Sequence, residues 1–397
     1  MQHDEALTSF SRRSFLSLST AASAAVAFRI VTEPMLAYAE LPAVPTSGVR
    51  INANENPLGP CAAARSAVAA IIPESGRYRF GLMEEFVKLY ATSIGVSDEQ
   101  VRIFAGSSEP LHYTVMRFTS PKASYVTADP GYEAGMFAAE ASGARLVKVP
   151  LTKTYAHDVR AMIAAAPDAG VFYVCTPNNP TGTLTSHSDI EYLLENKPKG
   201  SIVLVDEAYI HFCDAPSAIA LVKAGQDVIV LRTFSKLYGM AGLRCGFAIG
   251  RPDLMQKVEN YGGGNPMPVT AVAAASASLK EPQLVPERKR INTEIREETF
   301  QWLDRNGYSY IPSVSNFFML DTKRPAKEVI AAMAQENVYI GRVWPLMPTY
   351  ARITVGTREE MTQFQAAFQK VMKGTVVGRL RKEESPLRHI DGFVLPG

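Results

Sequence analysis

Seven short apolar segments, separated by helix-like stretches, constrain the fold of this chain more than any other feature. Several of them are apolar at consecutive positions, without the alternation of a strand that has one exposed face. Such strands are typical of a parallel sheet that helices cover on both faces. The expected strands are 101–106, 123–130, 145–150, 170–177, 201–209, 227–235 and 245–250. The pattern predicts an α/β fold.

Composition excludes several classes of function. The chain has 397 residues, 47% of them apolar, and a net charge of +2, so it can bury one large core or two. It has no basic run interleaved with aromatic residues, which argues against nucleic acid as a partner. No apolar run is long enough to span a membrane in the mature chain. The four cysteines show no metal-ligand spacing, and a Cys61–Cys213 disulfide stays open.

The N-terminus has the features of an export signal. The paired Arg12 and Arg13 precede a weakly apolar stretch rich in alanine and serine, and Ala37-Tyr38-Ala39 has the form of a cleavage site. We predict a twin-arginine signal over 1–39, a mature chain that begins near Glu40, and a periplasmic location. The alternative is an amphipathic helix that stays on a cytoplasmic protein.

Polar residues follow the expected strands where parallel strands end. A Gly-Ser-Ser turn at 106–108 follows the first strand, and the "NNPTG" turn at 178–182 follows the fourth. Asp206 and Tyr209 close the fifth strand, and the "TFSK" segment at 233–236 closes the sixth. Because ligands of such sheets bind beyond the carboxyl ends of the strands, these residues predict one shared site.

Three of these segments, "CTPNNPTG", "VDEAYIHF" and "RTFSKLYGMAGLRCGF", carry a family resemblance. They resemble the pyridoxal-phosphate-dependent aminotransferases of fold type I, and most of all the histidinol-phosphate aminotransferase branch. The resemblance covers roughly residues 50–372, from "NANENPLGP" to "ARITVGT". It implies a large domain with a mostly parallel seven-stranded sheet, a smaller α+β domain, and pyridoxal 5'-phosphate as the cofactor.

The resemblance also implies roles for the residues that face the cofactor. Lys236 would form a Schiff base with the cofactor and then move a proton at the substrate α-carbon. Asp206 would pair with the ring nitrogen and keep it protonated. Asn179 and Tyr209 would bind the phenolic oxygen of the cofactor, and Tyr132 would stack on its ring.

The phosphate group of the cofactor would have its own set of ligands. By resemblance these are Ser107, Ser108, Thr233, Ser235 and Arg244. The family often has an acidic residue where Ser108 stands, which leaves only its backbone role. Tyr78 matches a tyrosine that reaches the phosphate across a dimer interface, so the resemblance implies a homodimer with shared sites.

Four further residues match substrate-binding positions. Arg352 would bind the substrate α-carboxylate, and Asn54 and Asn56 would line the same end of the site. Arg342 loosely matches a position that reads the distal end of the substrate, which is a phosphate in the histidinol-phosphate branch. The implied organisation is a signal at 1–39, an N-terminal arm at 40–76, a large domain at 77–270, a small domain at 271–372 and a basic tail at 373–397.

The predicted reaction is amino transfer between an amino acid, or an amino-acid-derived metabolite, and a 2-oxo acid. The export signal argues against simple histidine biosynthesis, and so does the glycine-rich "YGGGNPMP" at 261–268, which could widen the pocket. The alternative is a decarboxylase of the phosphothreonine type, because such relatives use the same lysine and aspartate.

Overall fold

A computed structural model describes residues 30–38, 47–262 and 266–374 of the chain. The paired arginines, the basic tail from residue 375 onward and two of the three consecutive glycines, Gly263 and Gly264, lie outside the described residues. The predicted domain boundaries therefore stay predictions, as do the export signal and the widened pocket.

Helices and strands alternate through the first two thirds of the described chain. The α-helices are α1 Glu33–Tyr38, α2 Ala62–Ile71, α3 Phe80–Ile94, α4 Ser108–Phe118, α5 Ala134–Ala141, α6 Val159–Ala165, α7 His187–Asn196, α8 Ile219–Lys223, α9 Pro252–Tyr261, α10 Val269–Leu279, α11 Leu284–Arg305, α12 Ala326–Gln335 and α13 Arg358–Lys373. The strands are β1 Val49–Ile51, β2 Val101–Phe104, β3 Ser124–Asp129, β4 Leu146–Pro150, β5 Ala169–Cys175, β6 Ile202–Asp206, β7 Val228–Thr233, β8 Gly246–Gly250, β9 Ser309–Ile311, β10 Phe317–Asp321, β11 Val338–Ile340 and β12 Tyr350–Thr354. Short 3₁₀ turns occupy Ile72–Glu74, Asp98–Gln100 and Ile210–Phe212.

The large sheet contains the seven strands that the sequence predicts. Their order is β2-β8-β7-β6-β5-β3-β4, and only β8 runs antiparallel to its neighbours. Strands β5, β6 and β7 are buried along their whole length. Two apolar clusters cover the two faces of this sheet, one built around Phe172, Val203 and Val230, the other around Tyr125, Leu204 and Ile229. The predicted α/β fold, with its mostly parallel seven-stranded sheet, is confirmed.

The second half of the chain, together with β1 near its start, builds a smaller layer. Strands β12, β10 and β9 form an antiparallel sheet, and β1 pairs with β11 in parallel. A third apolar cluster packs α11, α12 and α13 on these strands. None of the described helices is long and apolar enough to cross a membrane.

The four cysteines are free thiols in the structure. Cys175 is buried at the end of β5, and Cys245 is buried directly before β8. Cys61 lies 3.7 Å from the Ser278 hydroxyl, and the Cys213 thiol donates to the Ile210 carbonyl oxygen at 3.4 Å. The structure therefore contains no bond between Cys61 and Cys213.

Candidate active site

The carboxyl ends of the central strands line one cavity. It holds about 620 Å³ of space not filled by protein atoms, part of it open to solvent. Ten of the residues singled out in the sequence line it, namely Ser107, Ser108, Tyr132, Asn179, Asp206, Tyr209, Thr233, Ser235, Lys236 and Arg244. The topology explains this, because β5, β6 and β7 are parallel neighbours and their polar ends share one edge.

One end of the cavity is built for an anion. The turn after β2 places Ser107 and Ser108 at the start of α4, where backbone N–H groups have no partner within the helix. Arg244 lies beside this turn and donates to the Ser235 hydroxyl at 3.3 Å and to the Ala105 carbonyl at 3.1 Å. Gly106 has a φ of +92°, and a Cβ on it would lie 2.1 Å from the Arg244 guanidinium. A side chain here would displace the guanidinium, and the positive φ itself favours glycine.

Lys236 is a buried amine. It lies three residues after the end of β7, is 8% exposed, and its Nζ lies 3.4 Å from the Ala53 carbonyl oxygen. Burial lowers the pKa of Lys236 to about 8, with Arg352 and Arg244 acting in the same direction and Glu33 and Glu55 opposing them. A substantial fraction of this lysine is therefore neutral near pH 8, as a nucleophile or a base requires.

Asp206 is a buried carboxylate at the end of β6. Its described donors are the neutral Tyr173 hydroxyl at 2.9 Å and the Ala208 backbone N–H at 3.0 Å. Burial raises the pKa of Asp206 from 3.8 to about 6, although these two hydrogen bonds lower it. A cationic group at this end of the cavity would compensate the buried charge.

Arg352 lies on β12 and is fully buried. Its Nη1 donates to the Asn179 side-chain oxygen at 2.7 Å, and its Nη2 donates to the Asn52 carbonyl at 2.8 Å. The same Nη2 pairs at 2.5 Å with a carboxylate oxygen of Glu33. This arrangement is a carboxylate-binding site, and in the structure its occupant belongs to the chain itself.

Of the other predicted residues, Asn54 contacts a cavity-lining side chain, whereas Asn56 and Tyr78 do not line the cavity. Asn54, with a φ of +54°, is buried and donates to the Tyr209 hydroxyl at 3.0 Å. Asn56 lies outside the cavity and donates to the carbonyl oxygen of Leu237 at 2.8 Å, which ties its loop to the residue after Lys236. Tyr78 is 71% exposed and is not among the residues that line the cavity of its own chain.

The sequence did not single out three residues of this site. Tyr173 donates to Asp206. It lies two residues before Cys175, which lines the cavity, so the alternation of side chains along a strand places both on the same face of β5 and could have indicated Tyr173. Glu133 forms two 2.9 Å hydrogen bonds with Arg342, and its place next to Tyr132 is the only signal in the sequence. Glu33 could not have been found, because its segment was assigned to the export signal.

Comparisons with known proteins identify the family. The family model of aminotransferase class I and II matches residues 46–368. Histidinol-phosphate aminotransferase of Moorella thermoacetica is 33% identical over 82% of this chain and 85% of its own length. Aromatic amino acid aminotransferase of Cutibacterium acnes is 32% identical over 83% of this chain and 94% of its own.

The chain belongs to the aminotransferase class I and II family. A solved structure shares its fold, that of histidinol-phosphate aminotransferase from Sinorhizobium meliloti in complex with pyridoxal-5'-phosphate. The TM-score is 0.77 at 23% identity, over 93% of this chain and 99% of the other. The chain is therefore an aminotransferase with pyridoxal phosphate as cofactor, and the decarboxylase alternative has less support.

The donor set of the cavity fits pyridoxal phosphate. The α4 N-terminus, Thr233, Ser235 and Arg244 offer neutral and cationic donors for a phosphate. Asp206, whose buried charge lacks a cationic hydrogen-bond donor, would hold a proton on a ring nitrogen. When bound, the cofactor supplies the aldehyde and the electron-withdrawing ring that amino transfer requires. Lys236 is the one buried amine among the cavity-lining residues, and it can take or return a proton at the substrate α-carbon.

Proposed function

We propose that this aminotransferase acts on amino acids with an uncharged side chain, such as aromatic ones, and not on phosphate-bearing donors. The observation that carries the proposal is the pairing of Arg342 with Glu133. Both terminal nitrogens of the guanidinium donate to the two carboxylate oxygens of Glu133 at 2.9 Å. By resemblance, Arg342 is the residue that would read the distal end of the substrate.

The pair removes the positive charge that a phosphate would need. Arg342 is 8% exposed, and its guanidinium also lies 4.4 Å from the centre of the Trp344 ring. A phosphate at Arg342 would have to displace Glu133 and leave that carboxylate beside a second anion. Removing one partner of a buried pair costs about 3–5 kcal/mol, so such a donor is disfavoured. An uncharged side chain leaves the pair intact.

The names of two relatives indicate which amino donors to compare in the test. One named relative uses histidinol phosphate and the other aromatic amino acids, so each supplies a donor to compare. We expect kcat/KM for phenylalanine or tyrosine to exceed that for histidinol phosphate by about tenfold or more, equivalent to about 1.4 kcal/mol. Glu133→Gln should raise kcat/KM for histidinol phosphate, and exposed Glu140→Gln is the matched control. Preference of the wild type for histidinol phosphate would contradict the proposal.

We propose further that the enzyme is a homodimer with shared sites. Tyr78 is 71% exposed, and it lies in a short stretch, from the end of α2 to the first residue of α3, that also exposes Ile72 and Phe80. A surface segment with three exposed large apolar residues is typical of an interface. A partner's Tyr78 could then supply the phosphate contact that the chain's own Tyr78 does not make.

Export by the twin-arginine route is a proposal that rests on the sequence. This route carries folded proteins, which suits an enzyme that binds its cofactor before export. Replacing Arg12 and Arg13 together with lysine should leave the precursor in the cytoplasm, as detected by fractionation with an antibody to the enzyme. Equal periplasmic amounts of wild type and variant would disprove the signal.

A further inference from the structure

The N-terminal segment Ile30–Tyr38 enters the active site of its own chain. Thr32, Glu33 and Pro34 line the cavity together with Lys236 and Asp206. The Glu33 side chain is 8% exposed, and one oxygen lies 2.5 Å from the Arg352 Nη2. The other oxygen accepts from the Asn179 amide at 3.2 Å and lies 3.8 Å from the Arg342 guanidinium. Glu33 thus occupies the site that was assigned to the substrate carboxylate.

Specific contacts on both sides of Glu33 hold the segment in place. The Val31 backbone N–H donates to Nε2 of His112 at 3.0 Å. The His112 Nδ1 lies 2.8 Å from the Ser108 carbonyl oxygen, which can only accept, so Nδ1 carries the proton and Nε2 accepts. Burial lowers the pKa of His112 to about 4, which keeps the ring neutral. Val31 and Leu36 are buried in the apolar cluster that covers one face of the large sheet.

The charges explain why the contact is favourable without substrate. Arg352 is fully buried, and the other described acceptors of its terminal nitrogens, Asn179 and the Asn52 carbonyl, are uncharged. A buried cation without an anion is costly, and Glu33 removes that cost. Burial raises the pKa of Glu33, but Arg352, Arg342 and Lys236 outweigh it and lower the pKa on balance. Glu33 is therefore an anion in the site at neutral pH.

We propose that residues 30–38 are an intramolecular competitor of the substrate, with the Glu33 carboxylate in the place of the substrate carboxylate. A chain that keeps this segment is held in a low-activity state, and removal or displacement of the segment opens the site. The inference rests on the proposed role of Arg352 in binding the substrate. If the export signal is cleaved after Ala39, cleavage would activate the enzyme.

Binding of a carboxylate that cannot react tests the competition directly. The probe is 3-phenylpropanoate, which has a carboxylate and no amino group, titrated calorimetrically into the full-length holoenzyme, with intact mass confirming that the segment is present. Glu33→Gln keeps the size of the side chain and removes its charge. Leu36→Ser loosens the segment without touching Arg352 and serves as the second variant. Glu140→Gln, on exposed surface, is the control.

When the segment occupies the site in most molecules, the apparent Kd of the wild type equals the Kd of the open site divided by the fraction of molecules whose site is open. We expect Glu33→Gln and Leu36→Ser each to lower the Kd about tenfold or more, and Glu140→Gln to leave it unchanged. The KM for an amino donor should fall in both variants in parallel with the Kd for the probe. Unchanged or weaker probe binding in both variants would overturn the proposal.

The two readouts separate this inference from the proposed function. If no uncharged amino acid reacts but both variants bind the probe more tightly, the substrate assignment is wrong and the competition is real. If uncharged donors react well but the variants bind the probe as the wild type does, the substrate assignment holds and Glu33 is not a competitor.

Discussion

A single residue of this site can lower the stability of the apoprotein and still be required for activity, and Asp206 is the clearest example. Burial raises its pKa from 3.8 to about 6. The unfolded carboxylate ionises at the lower value, so the free energy of unfolding of the apoprotein falls as pH rises from about 4 to about 6 and stays lower above that.

Asp206→Asn should therefore stabilise the apoprotein and inactivate the enzyme. Above pH 6 we expect its free energy of unfolding to exceed that of the wild type by about 1–3 kcal/mol, with the difference vanishing near pH 4. The variant cannot hold a proton on the cofactor ring, so kcat should fall about 100-fold or more. Urea unfolding at several pH values, with kinetics at saturating cofactor, checks both. A variant with unchanged kcat, or one less stable at pH 8, would contradict this account.

Sequence predicted the residues of the site far better than the contacts between them. Lys236, Asp206 and Asn179 come from short segments whose residue types follow directly from their chemistry. Glu133 and Tyr173 act through partners about 209 and 33 residues away along the chain, and only the folded arrangement brings such pairs together. The local signals, the place of Tyr173 on the face of β5 that carries Cys175 and the place of Glu133 next to Tyr132, do not show which partner either residue contacts.

Among the elements, the turn between β2 and α4 connects backbone geometry to cofactor binding. Gly106 has a positive φ, and its missing Cβ leaves the space that the Arg244 guanidinium fills. Arg244 itself has a φ of +61°, a strained conformation for a residue with a side chain. The turn and the arginine are therefore positioned by each other.

Gly106→Ala should weaken cofactor binding while the fold persists. The added methyl group displaces Arg244, and the left-handed backbone adds strain of about 1–3 kcal/mol. We expect the Kd for pyridoxal phosphate, measured by fluorescence titration of the apoprotein, to rise about tenfold or more. The matched control is Gly200→Ala, which has a similar positive φ of +88° but an open surrounding space. Equal cofactor affinity of the two variants would refute the role of Gly106.

The strands of the large sheet could be predicted from the sequence, whereas the direction of one strand and the N-terminal helix could not. The seven strands of the large sheet were predictable because full burial makes them continuously apolar. The antiparallel direction of β8 was not, because a buried strand looks the same in either direction. Helix α1 was expected only under the alternative of an N-terminal helix that stays on the protein, because its apolar residues are as suitable for an export signal as for packing on the sheet.

At the scale of the whole molecule, a shared site predicts complementation between inactive chains. Tyr78→Ala and Lys236→Ala should each be nearly inactive as homodimers. If Tyr78 acts across the interface, a mixed dimer has one site with both residues and one site with neither. Co-expressed with different tags and purified as the hybrid, it should regain about half of the wild-type activity per dimer. A hybrid as inactive as its parents would place Tyr78 in the site of its own chain, and an active Tyr78→Ala homodimer would place it outside any site.

The central claim is that the enzyme is an aminotransferase. The first half of the reaction, in which an amino donor reacts without an acceptor, tests this claim most directly. In the proposed roles, the buried Arg352 would fix the substrate carboxylate and the cavity-lining Lys236 would take the α-proton, so bond breaking should occur at hydrogen and not at the carboxylate. Holoenzyme mixed with an amino acid donor and no acceptor should release one 2-oxo acid per site, then stop with the amino group kept on the enzyme. Continued release of carbon dioxide, with no 2-oxo acid formed, would contradict the assignment as an aminotransferase.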